Sequence, residues 1–455
     1  MAFTLLTLFI GACGDGDTNK SSYGDVMSSS SSHELRANKR VLAYYGDKEN
    51  NRVVVVDINS MELVDEIATG HQKTYAAEIV KTKESHESLY PKMYVDNRGS
   101  NVIDVIDSKT DTIIKTISLK FHPRSISVNK KSGLVLVSGV DKPMSSVIDS
   151  KSDEVIATVG LDTITYPTTS GHSYISSGTL ACGHPEWLNE NHFVLIDREH
   201  KFIDTYKIFK DINGEWKTTL INRLSTPSPV HNLIPPEIHG KKGHIVQGKH
   251  GSSHEPIYST IFYATAEGAS GVYPSILKLE FTEEKGLSLV DELEIKKEGL
   301  SADIMGVHHL NFLKNQKYIY VGSDEGNLFI VNYDVEPMVI EKIIPAGKGA
   351  GHTAELEHGD SIAVVINHKD SFITLVDTLN NEKIADIKVS NISPDLVGKV
   401  QTQSHPKYYF SRDGRYFYLF LTQEGALVKV DLSKREVVDR LDIGGKLSMG
   451  SFIGH

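Results

Sequence analysis

The sequence predicts an all-β fold, a single β-propeller of eight blades, with seven as the alternative division. Three observations carry that expectation. First, Asn101 to Asn129 reads NVIDVIDSKTDTIIKTISLKFHPRSISVN, short β-branched runs separated by a polar turn. Branched side chains pack well on a pleated surface, and Ser-Lys-Thr-Asp is turn chemistry. Second, the pattern recurs in VVVVDINSMELVDEIATG from Val53, SSVIDSKSDEVIATVGL from Ser145, FITLVDTLNNEKIADIKV from Phe372 and ALVKVDLSKREVVDRLDIG from Ala426. Third, an aspartate closes one strand in each copy (Asp57, Asp107, Asp149, Asp377, Asp431). Neighbouring copies lie roughly 40–50 residues apart, the period of propeller blades, each a small sheet that cannot bury its faces alone.

The chain has 455 residues and a formal charge of -11. That balance gives no basic footprint for nucleic acid. Two cysteines, Cys13 and Cys182, imply no disulfide framework.

Residues 1–12, MAFTLLTLFIGA, are apolar and end in small residues before Cys13. Ile10-Gly11-Ala12-Cys13 resembles the lipobox of bacterial lipoproteins. The resemblance implies acylation at Cys13, a membrane anchor and a periplasmic or cell-surface location. No Lys or Arg precedes the apolar run, a departure from a secretory leader. Residues 13–38 are rich in Gly, Ser and Asp and read as a flexible tether. Residues 39–455 hold the repeats.

Blades are expected from Val41, Thr74, Arg124, Glu186, Val230, Leu310, Thr353 and Lys407 onward. The tail KLSMGSFIGH is expected to supply the strand that the first blade lacks, closing the ring and removing exposed edges. The repeat is similar to the YVTN-type family of bacterial surface propellers, in which a V-x-V-I-D-like strand precedes a turn and a Gly-x-x-Pro-like opening. Ser100 to Asn129 fits that pattern best, and the resemblance covers about half of the chain. It implies a fold and leaves activity open.

Histidines recur at the blade openings: His71, His122, His184, His231, His308, His309, His352 and His405. The first strand of each propeller blade lines the central channel, so these positions converge. Neutral imidazole is the commonest ligand of zinc and copper. Cys182 would add a thiolate favouring copper(I). Glu186, Glu355 and Glu357 are candidate acceptors for the ring N–H groups. A second group, His239, His244, His250 and His254, lies in the insertion HGKKGHIVQGKHGSSHEP. The histidine pattern resembles two groups of propellers, the copper-cluster propeller of nitrous oxide reductases and periplasmic zinc chaperones. WD-type propellers also place a Gly-His pair at this point, for a structural hydrogen bond, and Gly70-His71, Gly183-His184 and Gly351-His352 fit that role too.

No C-x-x-C-H, G-x-S-x-G, H-E-x-x-H or phosphate loop occurs. No spacing singles out a hydrolase triad. The expectation is therefore an envelope propeller binding zinc or copper for storage, delivery or sensing. The alternative is a non-catalytic scaffold for an envelope protein partner.

Overall fold

The protein is described by a computed structural model covering residues 40–80, 91–160, 181–236, 260–314, 317–356, 361–405 and 409–454. The described residues fall within one compact unit that begins at Arg40. The lipobox-like segment and Cys13 lie outside the described residues, as do His239, His244, His250 and His254.

Strands assemble into one eight-stranded sheet, which is two blades joined edge to edge, and six four-stranded sheets. The result is an eight-bladed β-propeller. The second blade shows how sequence dictates the unit. Its strands Thr74–Val80, Lys92–Asn97, Val102–Asp107 and Thr112–Ser118 pair antiparallel in chain order. The two middle strands are buried almost throughout, whereas Thr112–Ser118 alternates exposed and half-buried positions. Middle strands are covered on both faces by neighbouring blades, so they read as continuous apolar runs. The outermost strand keeps one wet face, hence its alternation.

The recurring aspartate has a structural job. Asp57, Asp107, Asp149 and Asp377 each accept a hydrogen bond on Oδ1 from the backbone N–H two residues on, at 2.8–2.9 Å. Asp431 does the same to Ser433 at 3.1 Å. Four residues after each aspartate stands a residue with φ of 53–60°: Met61, Asp111, Asp153, Asn381 and Arg435. The side chain holds the turn while the chain passes through the left-handed region that starts the outer strand.

The C-terminal strand Leu447–Gly454 pairs antiparallel with Val41–Asp47 and becomes the inner strand of the first blade. Lys446 N–H donates to Asp47 Oδ1 at 2.8 Å and locks the junction. A parallel bridge from Met449 to Ala76 joins the first blade to the second. Apolar clusters fill the gaps between blades, such as Ile196 and Ile203 against Val230, Phe262 and Leu277. The one helix among the described residues is a 3-10 turn, Pro394–Leu396. No helix there is long and apolar enough to cross a membrane.

Candidate metal centre

In an antiparallel blade the start of the first strand and the end of the second lie at the same end. Each blade therefore offers that mouth of the channel two sets of side chains, one from each place. Five first strands open on the pairs Thr74↔Asn97, Pro123↔Gly139, Val230↔Ala266, Val307↔Ser323 and Ala350↔Asn367, and in two further blades an isolated bridge ahead of the first strand, Cys182↔Asp197 and Gln403↔Leu421, takes the same place. Directly after the opening pair the register shifts in the blades that start at Thr74, Pro123, Val230, Val307 and Ala350. Such bulges re-aim side chains.

Counted from these pairs, the site falls into order. One residue beyond the opening residue stand Tyr75, Arg124, His231 and His308. Two residues beyond stand Ser125, His184, His309, His352 and His405. One residue beyond the second-strand partner stand Arg98, Arg198, Glu267, Asp324 and His368. His231, His308, His309 and His352 thus lie within their strands rather than ahead of them. The blades expected from Leu310 and Thr353 begin three residues earlier, at Val307 and Ala350, whereas those expected from Thr74, Glu186 and Val230 begin there.

Seven imidazoles form one contiguous group. Ring centroids of His231 and His308 are 3.8 Å apart, His309 and His352 4.1 Å, and His308 and His309 4.4 Å. His184 lies 4.9 Å from His231, and His368 lies 4.7 Å from His405 and 4.8 Å from His352. Donor atoms within 4.8 Å of one another define three overlapping groups. These are His184, His231 and His309; His308, His309 and His352; and His231, Glu267 and His308.

Hydrogen bonds orient several rings. His231 Nδ1 lies 2.7 Å from Glu267 Oε1. A carboxylate only accepts, so Nδ1 carries the proton and Nε2 is a bare lone pair. Glu267 is in turn held by Arg198, both of them buried. His368 Nδ1 lies 3.1 Å from the Gln403 carbonyl oxygen, so it donates there, and its Nε2 accepts from His352 Nδ1 at 2.6 Å. That relay leaves His352 Nε2 bare as well. Ser125 Oγ bonds His184 Nδ1 at 2.6 Å, and Asn232 bonds His309 Nδ1 at 2.9 Å.

The group is electrically prepared for a cation. Burial holds His184, His231, His308 and His309 well below the usual imidazole range, aided by neighbouring rings and, at all but His308, by Arg124. Burial does the same for His405, helped by His368 and His352, and brings His368 down to about 4. All six are neutral at pH 7, the form that binds metal. Nε2 of His231, His309 and His405 is buried without a hydrogen-bond partner. Each such atom costs about 1–3 kcal/mol unless something binds it. Imidazole nitrogens with one carboxylate suit zinc and copper.

His71 and His122 do not join the group. Both precede their blade's opening residue. His71 Nε2 lies 3.6 Å from Asp104 Oδ1. At His122 the backbone N–H donates to Asp141 at 2.8 Å, and the carbonyl accepts from Val140. Cys182 is buried, with Sγ 3.4 Å from the carbonyl oxygens of Lys142 and Met144. Burial pushes its thiol up to about 12, so it is no thiolate at pH 7 and belongs to none of the converging groups. Glu186 accepts from Trp187 N–H, Glu355 accepts from Lys314 N–H, and Glu357 lies outside the described residues. Glu267 and His368 are the orienting groups that sequence reasoning missed.

Fold and site together define an eight-bladed β-propeller carrying buried imidazoles at one mouth of its channel. Among solved structures it is similar to apo AztD from Citrobacter koseri, with 9% identity over 92% of this chain and 99% of that one, TM-score 0.52. It is also similar to dihydro-heme d1 dehydrogenase NirN in complex with DHE, with 13% identity over 90% and 74% of the chains, TM-score 0.57. A third is a 6-phosphogluconolactonase candidate from Bacteroides fragilis, with 11% identity over 77% and 96%, TM-score 0.51. At such identities the likeness establishes the propeller fold alone. No protein-family model matches the chain. No curated protein matches it either.

Proposed function

We propose that this propeller binds zinc or copper ions through His184, His231, His308, His309 and His352, for storage, delivery or sensing. The observation that supports it most is the convergence of seven imidazoles, five buried and two (His184 and His309) half-buried, six of them held neutral by their surroundings. A structural role for one Gly-His pair would need one ring and one partner. Here Nε2 of His231, His309 and His405, from separate blades, is buried without a hydrogen-bond partner. A bound ion would engage those nitrogens; at His309 and His405, whose Nδ1 accepts from the Asn232 and Gln401 amides, this requires the ring proton to move from Nε2 to Nδ1. The imidazoles outnumber the four ligands of a tetrahedral zinc site, which leaves room for more than one ion.

Envelope localisation belongs to the same reading. It rests on the lipobox-like Ile10-Gly11-Ala12-Cys13 and the Gly- and Ser-rich stretch that follows. Incorporation of labelled fatty acid in a bacterial host, lost in Cys13→Ser, tests it.

The test of metal binding is elemental analysis of the purified chain after exposure to each ion and removal of excess. Stoichiometric zinc or copper is expected in the wild type and is lost in a His308→Ala, His352→Ala double variant. A wild type that remains free of both metals overturns the proposal.

A further inference from the structure

The channel mouth has a second chemistry beside the imidazoles. Four cationic side chains crowd it: Arg98 and Arg124 from adjoining blades, Arg198 beside them, and Lys369 further round. Three of the four have a carboxylate. Arg98 Nε lies 3.3 Å from Asp96, Arg198 pairs with Glu267, and Lys369 Nζ lies 2.8 Å from Asp324. Arg124 has none. It is 2% exposed, and its Nη1 is buried without a hydrogen-bond partner. Among the described residues its guanidinium makes no ion pair. Its backbone carbonyl accepts from Arg98 Nη2 at 2.6 Å, which fixes the strand but does nothing for the charge.

A buried charge without a partner is among the least tolerable features of a folded protein. Repulsion makes this one worse. Burial, with Arg198 and Arg98 nearby, pushes its pKa down to about 9, so it stays cationic at pH 7. Arg124 occupies the blade position that His231 and His308 occupy in theirs. Its charge also bears on His184, His231 and His309. The side chain therefore faces the imidazole group.

We infer that Arg124 is the receptor for a small planar oxyanion, of the carboxylate type, bound at the channel mouth beside His184, His231 and His309. A guanidinium edge presents two parallel N–H groups, which match the two oxygens of such an anion. The half-buried Lys48 lies 5.7 Å from the Tyr75 ring centroid, and Arg98 covers that ring at 3.2 Å, so the approach is positive as well. With a metal present, the same anion would bridge ion and guanidinium. Without one, it would still neutralise Arg124.

The test is titration of the full chain with sodium formate at constant ionic strength, followed by calorimetry and by thermal melting. It is run on chelator-treated and on zinc-loaded protein. Saturable binding is expected in the wild type, at least about tenfold weaker in Arg124→Met, which removes the fork. In anion-free buffer Arg124→Met is expected to melt above the wild type, since an unpaired buried charge is gone. A merely structural arginine would give the opposite sign. Arg124→Lys keeps the charge and loses the fork, and serves if the Met variant fails to fold. It should bind formate more weakly than wild type. Absence of saturable binding in both protein forms, or equal affinity in the variants, overturns the inference. The metal reading stands or falls separately. Formate binding in a chain that takes up no metal removes only that reading, and metal uptake without formate binding removes only this one.

Discussion

His352 Nδ1 donates to His368 Nε2 across 2.6 Å, and His368 passes its own Nδ1 proton to the Gln403 carbonyl. The first ring belongs to an inner strand and the second follows the neighbouring strand of the same blade. This contact decides which nitrogen of His352 faces the other rings. Replacing His368 by Phe keeps the ring volume but removes the acceptor. Metal affinity is expected to fall about 10–100-fold, the usual effect of losing a group that orients a ligand. His368→Gln offers a carbonyl in place of Nε2 and should recover part of the loss. Competition with a chromophoric chelator measures both. Equal affinity in the Phe variant would show that His352 needs no such support.

Glu267 ties Arg198 to His231 inside the mouth. Glu267→Gln leaves Arg198 charged and buried beside the positive Arg124. The expected loss of stability is about 3–5 kcal/mol. Denaturant unfolding of the metal-free protein reads it. A change below about 1 kcal/mol would mean that water reaches Arg198.

The depressed histidines make stability depend on pH in one direction. Their unfolded value is about 6.5, and the fold lowers it, to about 4 for His368. The unfolded chain then binds more protons than the folded one between those values, so stability falls as pH falls through that window. Metal-free protein is expected to melt progressively lower from pH 6.5 to pH 4, and to change little between pH 7 and pH 8 from this cause. Because these rings are already neutral at pH 7, zinc affinity should also be flat from pH 7 to pH 8. A steep rise in affinity there would point to ligands other than these imidazoles.

Ring closure is carried by the last strand, Leu447–Gly454, paired to Val41–Asp47. Without it the first blade loses its inner strand and the ring gains open edges. A chain ending at Ile443 is expected to be recovered as aggregate, or to lose cooperative melting by circular dichroism. Cooperative unfolding at the wild-type temperature would show that the strand is dispensable.

The fold was legible because propeller blades repeat local physics. An aspartate turn, a left-handed residue four positions on and an alternating outer strand are written in each copy. Blade starts were harder. Val307, His308 and His309 form a strand whose first residues are polar and bulged, so apolar runs place its start at Leu310. The site was legible where histidines follow the opening residue, as at His184, His231, His308, His309, His352 and His405. His71 and His122 look alike in sequence but precede that residue, and the difference is a matter of strand register. His368 hides in NHKDS, which reads as a turn. Its signal, like that of Glu267, Arg98 and Arg198, is its place directly after the second strand, visible only once blades are aligned by their opening pairs.

The most direct measurement is anomalous diffraction at the zinc and copper edges from crystals of the metal-loaded chain. The expected result is a peak bounded by the Nε2 atoms of His231, His308, His309 and His352. Anomalous density found only elsewhere on the chain, or none at either edge, would contradict the assignment of this mouth as a metal centre.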